Sequence, residues 1–223
     1  MTRLTFAAAA AVLLFAGSAS ANVVADFQLN GSLANGAGGG ATLTNNGAVQ
    51  TPTGLAFGFN EGPTISGLGT LSAYTLETRF SFDAVNGYRR IADWSGRASD
   101  DGLYVLNGDI DFYNQAFGPA GQITAGDLFT VTLTRDASSL VNGYINGILQ
   151  FSFNDVLGEA IINDSINLFI DDLIVPNEAS RGFVDYVTIS NDGAVPEPAA
   201  WALMLVGFGT MGAMLRRRRQ AFA

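Results

Sequence analysis

The sequence has 223 residues with no cysteine and no histidine, and all 11 of its basic residues are arginine. Without cysteine there is no thiol nucleophile, no disulfide staple and no thiolate metal centre. Without histidine there is no Ser-His-Asp triad and no imidazole ligand for zinc or haem. Charge is scarce: 14% of residues are charged, against ~25% in ordinary soluble domains. Proline is scarce too, with 6 residues. What remains is carboxylate, hydroxyl and amide chemistry. The 48% hydrophobic fraction must fill a large core or membrane segments. Positive charge is nearly absent from the middle of the chain. Residues 22 to 198 hold 6 arginines against all 20 carboxylates, a net charge of −14. Such a body repels phosphate backbones, which excludes nucleic acid as a partner. The length predicts one domain of roughly 100–200 residues.

Both ends read as targeting segments. Residues 1–21 combine a positive start at Arg3, an apolar run from Phe6 to Ala16, and small residues Ala19 and Ala21 around a cleavage point. The run is too short to span ~30 Å of hydrocarbon, so it reads as a secretory signal peptide removed by signal peptidase. At the other end, Ala199 to Leu215 carries no charge. Seventeen residues give about 25 Å of helix, near the thickness of a bilayer core. Trp201 suits one interface and Arg216, Arg217, Arg218 and Arg219 suit the other. Four arginines keep that flank cytoplasmic and place the body outside.

This tail resembles a PEP-CTERM sorting signal. Pro196-Glu197-Pro198, a short apolar helix and a terminal arginine cluster occur in order, and Trp201-Ala202 resembles the PEPxxWA subtype. The resemblance implies export in a Gram-negative bacterium and recognition by an exosortase, a membrane cysteine transpeptidase. It also implies removal of the helix and delivery of the body to the cell surface or matrix. The expected organisation is a signal peptide over residues 1–21, a body over 22–191, a linker with the PEP motif over 192–198, a transmembrane helix over 199–215 and a cytoplasmic tail over 216–223.

The body shows no helical period. Short alternating segments are separated by Gly, Asn and Asp, the pattern of antiparallel strands. Tyr74 to Phe82 places Tyr74, Leu76, Phe80 and Phe82 on one face, and Phe129, Val131 and Leu133 do the same with three threonines behind. Asn107-Gly108 and Asn146-Gly147 predict two-residue hairpins, because their positive φ angles match strand twist. In Phe183 to Ser190, strict alternation puts Phe183, Asp185, Val187 and Ile189 on the core side. Asn35 to Gly47 and Gly118 to Gly126 read as surface loops. Some twelve strands predict an all-β, two-sheet antiparallel sandwich.

The order of segments resembles laminin-G-like, concanavalin A-type domains. Asp26 to Asn35 resembles the opening strand, Tyr74 to Phe80 the central one and Gly182 to Ile189 the closing one. The resemblance implies a jelly-roll of roughly 12–14 strands. It also brings in glucanases, whose two catalytic Glu flank an Asp on one strand with carboxyls ~5 Å apart. The five Glu here are scattered and that arrangement is absent, so no catalytic residue is assigned and the body reads as a non-enzyme. Asp109 and Asp111 share a strand face about 6–7 Å apart, a carboxylate pair or, more simply, a solvated hairpin face.

Asp171, Asp172 and Glu178, separated by Pro176 and Asn177, form an acidic loop. Converging hard oxygens suit Ca²⁺, and relatives of this fold bind Ca²⁺ at edge loops; a plain charged loop is the other reading. Tyr104, Tyr113, Tyr144 and Trp94 are candidate stacking platforms for sugar rings, although parity leaves their exposure open. The sequence thus reads as a recognition module for a glycan or a cell-surface protein. A passive matrix component is the alternative, and an atypical glycosidase a lesser one.

Overall fold

The computed structural model describes residues 22–192. The signal-peptide segment and the motif, helix and arginine tail lie outside the described residues. The fifteen strands are β1 (Val23–Phe27), β2 (Thr42–Thr44), β3 (Val49–Thr51), β4 (Gly54–Phe57), β5 (Thr64–Leu71), β6 (Tyr74–Phe82), β7 (Tyr88–Asp93), β8 (Leu103–Leu106), β9 (Asp109–Phe112), β10 (Ala116–Phe117), β11 (Phe129–Arg135), β12 (Leu140–Ile145), β13 (Ile148–Asn154), β14 (Ile162–Leu168) and β15 (Gly182–Ser190). No helix occurs among the described residues. All pairings are antiparallel. The strands form an eight-stranded sheet, ordered β13-β12-β11-β6-β15-β4-β3 with β1 beside β15, and a seven-stranded sheet, ordered β10-β9-β8-β7-β14-β5-β2. The expected sandwich is the fold.

Alternation dictates the core. Tyr74, Leu76, Phe80 and Phe82 of β6 and Phe129, Val131 and Leu133 of β11 are buried between the sheets. Phe169, just after β14, enters the same cluster and stacks on Phe57 with ring centroids 4.6 Å apart. Both Asn-Gly turns form as expected: Asn107 and Gly108 have φ of 52° and 92°, and Asn146 and Gly147 have 50° and 79°. The positive angles give the turn the same twist as the strands it joins.

Three expectations change. The Asn35 to Gly47 segment is not all loop, because Thr42–Thr44 pairs with β5. Alternation also fails in β15, where a bulge lies between Val184 and Tyr186. One extra residue flips the pattern. Val184, not Phe183, joins Val187 and Ile189 in the core. Asp185 turns outward and pairs with Arg79 at 2.6 Å. Finally, Asp111 is fully buried, so the Asp109–Asp111 face is not a solvated hairpin.

The outer face of the larger sheet is polar and internally satisfied. Tyr186 and Thr132 hydroxyls donate to the two carboxylate oxygens of Glu77 at 2.8 and 3.1 Å. Thr75, Thr132 and Thr134 are buried there, which makes these threonines structural groups rather than solvated surface.

Candidate functional site

Three loops meet at one end of the sandwich. The β4–β5 loop brings Phe59 and Asn60, the β7–β8 loop brings Arg97, Asp100 and Asp101, and the β14–β15 loop brings Asp171 to Ala179. They are fastened to each other through backbone groups. The Asp171 N–H donates to Asn60 Oδ1 at 2.8 Å, Arg97 Nε donates to the Asp171 carbonyl at 2.6 Å, and the Leu173 N–H donates to the Arg97 carbonyl at 3.1 Å. Asp93, fully buried at the end of β7, accepts from the Ser95 and Arg97 N–H groups and from Asn167 Nδ2. That shapes the turn carrying Arg97.

Between the loops lies an open cavity of about 820 Å³. Arg97, Asp171, Asn60 and Asn177 supply its polar groups, and Phe59, Leu173, Ile174 and Pro176 its apolar wall. Phe59 is 58% exposed, with the Arg181 guanidinium 4.8 Å from its ring centre. Asp171 is only 3% exposed. Its Oδ2 accepts the Glu178 N–H at 2.9 Å, while its Oδ1 has no hydrogen-bond partner. A buried acceptor without a donor is costly, and here the residue lines a cavity large enough for a small ligand.

Adjoining the cavity, with Asp172 common to both, is a second cluster centred on Arg90 of β7, which is fully buried. Its Nη2 bonds Asp172 Oδ2 and lies 3.7 Å from Asp100 Oδ1 and 4.0 Å from Glu178 Oε2. Its Nη1 donates to the Asp101 carbonyl at 2.7 Å, and its guanidinium stacks 4.2 Å from the Tyr104 ring centre. Burial pushes Asp172 up, but the Val175 and Ile174 N–H groups and Arg90 outweigh it and hold the carboxyl below its ordinary range. Burial pushes Glu178 up to about 7, with Asp100 adding repulsion. Burial likewise raises Asp100.

The acidic loop seen in the sequence therefore divides. Asp172 and Glu178 come together with Asp100, whereas Asp171 turns its carboxylate into the cavity wall. Asp100, Asp172 and Glu178 each offer an oxygen, and the three atoms lie within 4.8 Å of one another. That spacing suits a cation, but Arg90 Nη2 already contacts all three, so the donor set as it stands does not fit Ca²⁺.

Tyr104 and Trp94 are buried, and Trp94 Nε1 donates to the Tyr74 hydroxyl at 2.8 Å in the core. Tyr113 is half-buried and packs 5.7 Å from Tyr88; Tyr144 is half-buried on β12. The exposed aromatic at the cavity is Phe59, which sequence reasoning passed over. Its Gly-Phe-Asn-Glu-Gly setting, a bulky apolar residue inside a turn sequence, was the available signal.

The two-sheet antiparallel fold places the chain in the class of β-sandwiches, and solved β-sandwich domains share it. Domain 4 of AbnA, an extracellular GH43 arabinanase from Geobacillus stearothermophilus solved with arabinotriose, aligns with a TM-score of 0.55 at 16% identity over 79% of this chain and 95% of that one. The ligand-binding domain of botulinum neurotoxin serotype D, solved with N-acetylneuraminic acid, gives 0.58 at 15% identity over 78% and 48%. Trypanosoma rangeli sialidase, solved with sialic acid, gives 0.57 at 18% over 78% and 31%. At these identities the likeness is one of fold. No curated protein is significantly similar in sequence. Residues 194–219 match the PEP-CTERM protein-sorting motif, which implies exosortase-sorted export.

Proposed function

We propose that the chain is a cell-surface or extracellular-matrix protein whose laminin-G-like sandwich is a non-catalytic recognition module, taking a glycan in the cavity between Phe59 and Asp171. The carrying observation is the unpartnered, buried Oδ1 of Asp171 beside an exposed aromatic ring. A saccharide matches both needs: its hydroxyls donate to a carboxylate, and its C–H face stacks on an aromatic. Arg97, Asn60 and Asn177 add donors around the same rim. Saccharides in three structural neighbours are consistent with this reading. Position supports it as well. β15 runs from Gly182, beside the cavity, to Ser190, where the chain departs toward the sorting motif. Nine residues at ~3.3 Å rise put that end of the sandwich about 25–30 Å from the exit. Single sites of this kind are weak, so many displayed copies would act together.

The purified chain on a glycan array is expected to retain one saccharide class. Phe59→Ala should weaken that binding about tenfold, equivalent to ~1.4 kcal/mol, without lowering the melting temperature. Retention of nothing would favour the passive matrix role, and glycan cleavage would overturn the non-catalytic reading. The sorting half is tested separately. Replacing Arg216 to Arg219 with neutral residues is expected to leave the tail unprocessed in a cell with an active exosortase. A wild-type product that keeps its tail in that cell would overturn it.

A further inference from the structure

We infer that the Arg90 guanidinium is the resident cation of the β14–β15 loop, occupying the position a Ca²⁺ ion would take, and that truncating Arg90 uncovers a Ca²⁺ site. This cluster includes neither Phe59 nor Asp171, the two residues on which the glycan reading rests.

A Ca²⁺ ion needs six to eight oxygens at ~2.3–2.6 Å, so ligand oxygens around it lie no more than about 5 Å apart. The oxygens of Asp100, Asp172 and Glu178 lie within 4.8 Å of one another, which satisfies that limit. A fourth oxygen is ready in the Asp101 carbonyl, now taken by Arg90 Nη1 at 2.7 Å. Glu178 Oε2 has no hydrogen-bond partner, and neither does Arg90 Nε. This is an oxygen-rich cage whose positive charge comes from a side chain of the chain itself.

Arginine does more here than balance charge. Its planar fork reaches Asp172 and the Asp101 carbonyl at once, and its face stacks on Tyr104. The Asp172 carboxylate in turn accepts the Ile174 and Val175 N–H groups at 2.5 and 2.7 Å. The charge on Arg90 is thereby passed to the loop that forms the cavity wall. An ion would depend on the Ca²⁺ level outside the cell, whereas a covalent guanidinium cannot be lost. Its removal leaves three carboxylates gathered in a largely enclosed space with no counterion, a costly condition for buried charge, and a divalent ion relieves it.

The test uses the full chain in detergent, with melting and calorimetric titration against CaCl₂. The wild type is expected to melt at the same temperature in EDTA and in millimolar Ca²⁺ and to give no binding heat. Arg90→Ala and Arg90→Gln are expected to melt lower in EDTA and to recover with Ca²⁺. Their dissociation constants should fall on the order of 10⁻⁴–10⁻³ M, the range of extracellular modules. Adding Asp172→Asn to either variant should remove the recovery. A wild type that loses stability in EDTA overturns the proposal. So does failure of Ca²⁺ to raise the folded fraction of both Arg90 variants.

Discussion

Arg135→Ala is expected to cost ~3–5 kcal/mol, the penalty for stranding one partner of a buried ion pair. Arg135 and Asp155 are both buried, with Nε 2.8 Å from Asp155 Oδ2. Arg135 also donates to the Ser72 carbonyl and to Ser139 Oγ. Asp155 takes the Glu159 and Ala160 N–H groups at 2.8 and 3.2 Å. The Ala160 carbonyl accepts the Tyr74 hydroxyl at 2.6 Å, and Trp94 Nε1 donates to the same hydroxyl. One guanidinium thus joins the end of β11, the β11–β12 turn, the β5–β6 turn and the β13–β14 loop. Truncation leaves the Asp155 charge with backbone donors but no cation. For a body of this size the loss lowers the melting temperature by roughly 6–20 °C. Arg135→Met with Asp155→Leu should restore only part of it, because the apolar pair pays no desolvation but leaves the Glu159 and Ala160 N–H groups and the Ser72 carbonyl without these partners. Denaturant melts of the three proteins decide the matter. A single-variant loss under ~1 kcal/mol would mean that water reaches Asp155.

The sequence carries local information well and long-range contacts poorly. Alternation gave Tyr74 to Phe82 its exact bounds as β6, because both faces of a central strand are patterned by what they meet. The two Asn-Gly turns were legible because their backbone demand is local. Strand β15 was misread up to its bulge, where Phe183 rather than Val184 was placed in the core, since a bulge adds a residue without leaving a compositional mark. The same flip moved Asp185 from the core to an ion pair with Arg79.

The site was half legible for the same reason. Asp172 and Glu178 stood out as loop carboxylates, but their partner Arg90 sits 82 residues from Asp172. Within β7 it reads only as a polar strand residue. Nothing nearby in sequence announced that Asp100 would join them, or that Phe59 would flank Asp171. The sorting motif was readable in full, because its recognition depends on consecutive residues rather than on folded geometry.

Asp111→Asn is expected to stabilise the protein at pH 8 by ~2–4 kcal/mol and to change little at pH 4. Asp111 has no exposed surface and neither carboxylate oxygen has a hydrogen-bond partner. Burial first, and then the neighbouring charge of Asp109, pushes its pKa from 3.8 up to about 7. The direction of the pH effect follows from proton counts. Below about pH 4 the folded and unfolded states both hold the proton, and Asp111 costs nothing through ionisation. Between pH 4 and 7 the unfolded chain releases its proton while the folded one retains it, so stability falls as pH rises. The slope is at most ~1.4 kcal/mol per pH unit. Above pH 7 the folded state ionises too, and the penalty levels off at about 4 kcal/mol. Asparagine keeps the shape and removes the titration, so the gain should appear through the same window. Tyr88, Tyr104 and Tyr113 surround this part of the smaller sheet, with ring centroids 5.3–6.1 Å apart, and offer no positive charge to offset an ionised Asp111. Melting temperatures of wild type and Asp111→Asn from pH 4 to 8 provide the measurement. Parallel curves across that range would show that Asp111 is solvated or paired and that its burial has no electrostatic cost.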